Sequence, residues 1–230
     1  MPDDVELVAR LAAGVAHSLN NLLTVISGHA QMASRTLPGD APEHFDLDAI
    51  REATVRGAWL TRQLLAFGQP APVDLRPCGL NSVICAVAPT MLASRPSGVS
   101  IEFDLDASVP PVITDPERLT DILLVLFTNA CDAMPSGGSL VVRTDRPSSE
   151  RPGFAVLRVT DSGAGIPEHL RFRIFEPFFT THADAGRAGL GLAVVQGIVT
   201  RSGAAIELEA TQRHGSAFAV YLPVVVDAQG

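Results

Sequence analysis

The sequence predicts an antiparallel helical hairpin followed by a two-layer α/β sandwich. Three observations predict it. Two long segments carry apolar residues at three- and four-residue steps, a proline-rich break follows them, and beyond it short alternating segments are interspersed with helical ones.

The first helical pattern runs from about Asp4 to Arg35, with Val8, Leu11, Ala12, Val15, Leu19, Leu22 and Ile26 forming one apolar stripe. Residues 36–42 hold two prolines and a glycine and read as a turn. The second pattern spans about Pro42 to Phe67, with Leu47, Ile50, Ala53, Gly57, Leu60, Leu64 and Phe67 on one face. Two helices cannot cover both stripes alone, so a dimeric four-helix bundle is expected. Residues 68–79 read as linker, with three prolines in Gly68 to Pro77. This divides the chain into a helical domain (1–67), the linker, and an α/β domain (80–226). In that domain, strands are expected over Val99–Leu105, Leu140–Thr144, Phe154–Thr160, Ala205–Leu208 and Ala217–Leu222. Helices are expected over Asp115–Met134, opened by an Asp-Pro cap, and Leu190–Thr200.

Composition narrows the function. Hydrophobic residues are 47% and charged residues 18%, enough apolar content for a packed core and against disorder. The net charge is −8 and every one of the 17 basic residues is Arg. An acidic chain without basic clusters disfavours nucleic acid and anionic membrane surfaces as partners. Without Lys, a Walker-type phosphate loop is excluded. Cys78, Cys85 and Cys131 match no zinc spacing and read as reduced, partly buried thiols. No apolar run reaches the ~20 residues of a membrane span. Met1–Glu6 lacks the features of a signal peptide. A cytoplasmic chain is expected, alone or as the cytoplasmic portion of a longer or membrane-associated sensor.

His17 lies two residues after Val15, roughly 200° around the helix at ~100° per residue, so it faces away from the apolar stripe. Asn21 is one turn on, along the same face. A neutral imidazole is a competent nucleophile near neutral pH. Taken alone, an exposed helical His is more often an ordinary surface residue. The run Val15-Ala16-His17-Ser18-Leu19-Asn20-Asn21-Leu22 resembles the phosphoacceptor motif of sensor histidine kinases, in particular the subgroup with His, an acid, a hydrophobe and two Asn. The resemblance implies that His17 is phosphorylated and that Asn21 helps to dephosphorylate a partner. Ser18 stands where the family usually carries Asp or Glu, and a hydroxyl is a far poorer base than a carboxylate.

Four further elements converge on a nucleotide site. Asn129 and Asp132, in Asn-Ala-Cys-Asp-Ala-Met, lie on the helix before Pro135-Ser-Gly-Gly138; an inward Asn amide can ligate Mg²⁺ that bridges phosphates, although a lone helical Asn is usually a cap or a surface group. Asp161-Ser-Gly163-Ala-Gly165-Ile166 follows a strand, where a carboxylate can accept from the adenine amine while the glycines admit the ring. Phe175-Glu-Pro-Phe-Phe-Thr180-Thr181 places three of the ten Phe within five residues, as a core plug or as the anchors of a mobile lid. Gly186-Arg187-Ala-Gly189-Leu190-Gly191-Leu192 opens a helix whose N–H groups can bind phosphate.

Together, in order and spacing, these resemble the ATPase fold shared by histidine kinases and gyrase B, over about Leu80 to Pro223. The resemblance implies ATP and Mg²⁺ as cofactors, with Asn129 on the metal and Asp161 on adenine. It has Gly163, Gly165, Gly189 and Gly191 shape the pocket, and Ser216 supply a hydroxyl near adenine. It also implies autophosphorylation of His17, a homodimer, and transfer to an Asp of a response-regulator receiver domain. Val125 stands where kinases usually have Asn and gyrase-like ATPases a catalytic Glu, and His182 where Lys is common. Arg187 is the expected cation for the γ-phosphate. Ser18 and Val125 leave open two alternatives: a phosphotransferase- or phosphatase-biased relay, and a non-catalytic nucleotide-binding scaffold. Val125 and the hairpin speak against a free-standing gyrase-type ATPase.

Overall fold

The computed structural model describes residues 19, 22–38, 41–50, 53–54, 57, 61, 73–177, 179–180, 189–209 and 215–225. It divides into two units, residues 1–71 and 72–230.

In the first unit, residues 22–36 and 43–50 are helical. Between them the chain turns through Ala41 N–H donating to the Pro38 carbonyl at 3.0 Å. His44 clasps this turn: Nδ1 lies 3.1 Å from the Ser34 hydroxyl, and Nε2, 3.0 Å from the Pro38 carbonyl, must donate there. A Cβ on Gly57 would meet both Leu23 methyls at 3.1 Å, so the glycine permits close helix approach. Of the seven residues in the expected first stripe, Val8, Leu11, Ala12 and Val15 lie outside the described residues, and Leu19, Leu22 and Ile26 are exposed at 44, 63 and 46%.

The second unit runs β1 (Arg76–Cys78), α1 (Leu80–Ser94), β2 (Val99–Leu105), β3 (Val112–Thr114), α2 (Pro116–Asp132), β4 (Gly138–Asp145), β5 (Phe154–Asp161), a single 3-10 turn (Glu168–Leu170), α3 (Gly191–Arg201), β6 (Ala205–Glu209) and β7 (Ala217–Pro223). Five strands form one sheet in the order β2-β4-β5-β7-β6, with β2 and β4 parallel and the other pairs antiparallel. β1 and β3 form a separate antiparallel pair.

Strand alternation sorts the sheet into two faces. Leu140, Val142 and Thr144 of β4 and Ala155, Leu157 and Val159 of β5 are buried. With Leu119, Ile122, Leu123 and Leu126 of α2, and Val195, Ile198 and Val199 of α3, they make the core. On the opposite face, Arg143 pairs with Asp104 (3.3 Å) and Asp145 (2.9 Å), and Arg158 with Asp145 and with Glu209 (3.0 Å). Such surface pairs contribute little each, about 0–1 kcal/mol, but keep that face charged and solvated. The Arg151 guanidinium lies 3.8 Å from the ring centre of Tyr221, which with Val156 and Ala219 forms a further apolar cluster.

Three elements depart from the sequence reading. Residues 76–78, read as linker because of Pro77, form β1, a short pairing that tolerates proline. β3 was not expected, since three residues carry no periodicity. Neither was α1: its fifteen residues include no charge and contain Pro89, so no polar face marks the buried line of Leu80, Ile84, Val87 and Met91. Of the cysteines, Cys131 is buried and Cys78 half-buried as expected, but Cys85 is exposed on α1.

Candidate nucleotide site

Period-two alternation continues along β5 from Ala155, Leu157 and Val159 to Asp161, placing this carboxylate on the core side at the strand's last position. It is buried. Its Oδ1 accepts from the Gly163 N–H at 2.8 Å and the Ser216 N–H at 3.2 Å. The Asp161 N–H in turn donates to the Ser216 carbonyl at 2.9 Å. Burial pushes the Asp161 carboxyl above the usual carboxylate range; the bonds from Gly163 N–H and from Ser216 N–H and hydroxyl oppose this in part. A carboxylate held from one side by donors and withheld from water will take a further donor with profit.

The turn after Asp161 is clamped to the end of α2. Ala164 N–H donates to the Ala133 carbonyl at 3.2 Å, and a Cβ on Gly163 would sit 2.5 Å from that same oxygen, so glycine is required by the close approach. Ser162 N–H donates to the Ser139 carbonyl (3.0 Å), and Ser139 N–H returns to the Ser162 hydroxyl (2.9 Å). Asn129 and Asp132, both half-buried, belong to the last turn of α2, where the Asn129 carbonyl accepts from the Ala133 N–H at 3.1 Å. The fold therefore joins the Asn129 helix to the Asp161 loop through Ala133.

Gly215 closes the other side. Its φ is +119°, and a Cβ there would overlap the Asp161 carbonyl oxygen. Gly165 packs against it, a Cβ there lying 3.0 Å from the Gly215 carbonyl, with the half-buried Ile166 next in sequence. Phe175 packs edge-on against Phe218 of β7, with ring centres 6.5 Å apart, so the phenylalanine segment is anchored beside Ser216. Arg173 lies 4.5 Å over the Phe179 ring and pairs with Glu176 at 3.3 Å. Thr180 is half-buried. Gly189 and the buried Leu190 lead into α3, which packs on α2 and begins at Gly191 and Leu192; the N-cap residue, Leu190, supplies no side-chain cap to its first N–H groups.

His17, Ser18, Asn21, Thr181, His182 and Arg187 lie outside the described residues. Among the described residues no group of three or more His, Cys, Asp or Glu could hold a metal ion, so a divalent ion here would depend on the Asn129 amide and on ligand oxygens. Sequence reasoning missed Ala133, Ser139, Ser162 and Gly215 as parts of the site. Gly215 could have been found as a lone glycine before a strand; the Ala133 carbonyl has no sequence signal.

Residues 114–226 match the family model of the histidine kinase-, DNA gyrase B- and HSP90-like ATPases. The mycobacterial sensor histidine kinase MprB, a solved structure, is 34% identical over 65% of this chain and 97% of its own, with a TM-score of 0.53. The chain belongs to the histidine kinases. The sensor histidine kinase ZraS of Salmonella typhi is 32% identical over 223 residues, 96% of this chain and 47% of that protein. The chain thus spans about half the length of the ZraS kinases it matches. The structure of the histidine kinase ThkA in complex with the response regulator TrrA shares the fold, with a TM-score of 0.63 at 21% identity over 99% of this chain and 65% of that one. Within this family the α/β unit is the ATPase-type sandwich. No helix among the described residues is long and apolar enough to cross a membrane.

Proposed function

We propose that this chain transfers the γ-phosphoryl group of ATP to His17 and passes it on to an aspartate of a response-regulator receiver domain. The observation that carries the reading is the Asp161 cradle: a buried carboxylate fixed through Oδ1, in loops that close up through glycines at 163, 165 and 215, and tied to the helix of Asn129. Its remaining acceptor capacity suits the exocyclic amine of adenine. Glycine at 163, 165 and 215 lets neighbouring backbone come within 3.0 Å of where a Cβ would lie, which fixes the loops around the carboxylate. The half-buried Asn129 amide fits Mg²⁺, which keeps most of its waters and takes phosphate oxygens; bound there it would neutralise phosphate charge.

In the reaction a ring nitrogen of His17 bonds to the γ-phosphorus, the bond from phosphorus to the β,γ-bridging oxygen breaks, and ADP leaves with that electron pair. Catalysis of such transfers is positioning and charge stabilisation. The first N–H groups of α3, which Leu190 does not cap, would hold phosphate oxygens, and Arg187 would meet the terminal phosphoryl group. The chain works as a homodimer through its helical unit: the exposed Leu19, Leu22, Val25 and Ile26 present apolar area that a second copy would cover. ThkA's complex with TrrA supports a receiver domain as the acceptor.

A second reading, a relay biased toward phosphotransfer or dephosphorylation through Asn21, is favoured by Ser18 and by Val125. Val125 is buried in the core face of α2, so no side chain there can activate water. Incubation with Mg-ATP separates the two. The kinase gains acid-labile, alkali-stable phosphate that His17→Ala lacks; an unlabelled wild type, or a labelled His17→Ala, would sink the kinase reading.

A further inference from the structure

Asp115 is a buried carboxylate with two jobs. As the N-cap of α2, its Oδ1 accepts from the Glu117 N–H at 2.9 Å and the Arg118 N–H at 3.3 Å. Its Oδ2 accepts from the Asp74 N–H at 3.1 Å, a bond spanning 41 residues of sequence. The arginines nearest in sequence are engaged elsewhere: Arg118 with Asp121 at 3.0 Å, Arg76 with Asp74 at 3.7 Å. The cap function needs one oxygen only. The second oxygen is spent on the segment that emerges from the proline-rich stretch.

That segment continues as β1, which pairs with β3, the three residues immediately before Asp115: Arg76 opposite Thr114, Cys78 opposite Val112. At the far end of α2, eighteen residues or roughly 27 Å away along the helix at 1.5 Å per residue, the Ala133 carbonyl accepts from Ala164 in the Asp161 loop. An unbroken series of hydrogen bonds therefore runs from residue 74 through Asp115 and α2 to the nucleotide cradle. A helix moves as a unit, and a shift of about 1 Å suffices to make or break a bond of this kind.

We propose that Asp115 is a positioning residue that couples the end of the linker to the nucleotide pocket: the Asp74–Asp115 bond is a latch through which occupancy of the pocket and seating of the linker stabilise each other. This rests on the nucleotide-site reading above, and coupling of this kind is reciprocal. Two substitutions break the latch from opposite sides. Asp115→Asn keeps an oxygen for the cap but turns an NH2 group toward the Asp74 N–H. Asp74→Pro removes the donor and leaves Asp115 untouched.

The test is hydrogen exchange on the full chain, with and without ADP and Mg²⁺, followed at residues 73–78 and 161–165. In the wild type, nucleotide should slow exchange of both segments, by about threefold or more at 73–78. In each variant the response at 161–165 should remain and the response at 73–78 should vanish, a split that loss of general stability would not produce. A wild type in which 73–78 ignores nucleotide, or either variant in which the response survives, overturns the latch. Nucleotide protection at neither segment would overturn both the latch and the kinase reading. Protection as described with no phosphate on His17 would sink the kinase reading alone.

Discussion

Asp161→Asn should weaken nucleotide binding without weakening the fold. The two backbone donors at Oδ1, from Gly163 and Ser216, dictate the orientation of the substituted amide: its oxygen must stay at Oδ1, so its NH2 group takes the place of Oδ2. There it faces the adenine amine donor to donor. The loss is at least one charge-assisted hydrogen bond, about 1.5–3 kcal/mol, or roughly 10- to 150-fold in Kd at 1.4 kcal/mol per decade. Stability moves the other way. Burial raises the Asp161 carboxyl above its unfolded value, so between those two values the folded state binds more protons than the unfolded chain. Wild-type stability then falls as pH rises through that window, and the deficit is complete above it. The amide carries no such charge, so the variant should equal or exceed the wild type in urea denaturation at pH 7, with the difference shrinking toward pH 4. Titration calorimetry with ADP and Mg²⁺ gives the binding half. A loss under threefold, or a destabilisation beyond about 1 kcal/mol, the scale of one ordinary hydrogen bond, would refute the reasoning.

Gly215→Ala should cost about 1–3 kcal/mol in urea denaturation, the scale of a strained positive-φ residue, and more if the overlap with the Asp161 carbonyl spreads into the cradle; nucleotide binding should fall with it. Val125→Asn places an amide in the core face of α2 and should destabilise by about 1–3 kcal/mol, with no gain of ATP hydrolysis in a phosphate-release assay. Ser18→Asp supplies the missing base and should raise the initial rate of autophosphorylation by about tenfold or more, within the range of general-base effects.

Where the sequence was legible, a single physical rule was at work. Apolar alternation gave β2 and β5 almost to the residue, and counting by twos along β5 from Leu157 already puts Asp161 on the core side. The Asp-Pro cap marked the start of α2. Asn129, Asp161 and Gly163 could be singled out because motif chemistry and chain order agreed, and Ser216 only through the family resemblance. What stayed hidden depends on contacts distant in sequence. α1 has no charged residue to outline its buried face, and β1 and β3 define each other only by pairing. Ala133 acts through its backbone carbonyl, Ser139 and Ser162 through a reciprocal pair of bonds, and Asp115 through a bond to residue 74. No side-chain pattern announces any of these.

The central claim is that the γ-phosphoryl group of ATP reaches one imidazole. The direct measurement is to incubate the full chain with Mg²⁺ and ATP labelled at the γ position, quench in alkali, cleave, and map the label by mass spectrometry. The label should reside on the peptide containing His17, with none from α-labelled ATP and none in His17→Ala. Label at any other side chain, or none despite nucleotide uptake, would contradict it.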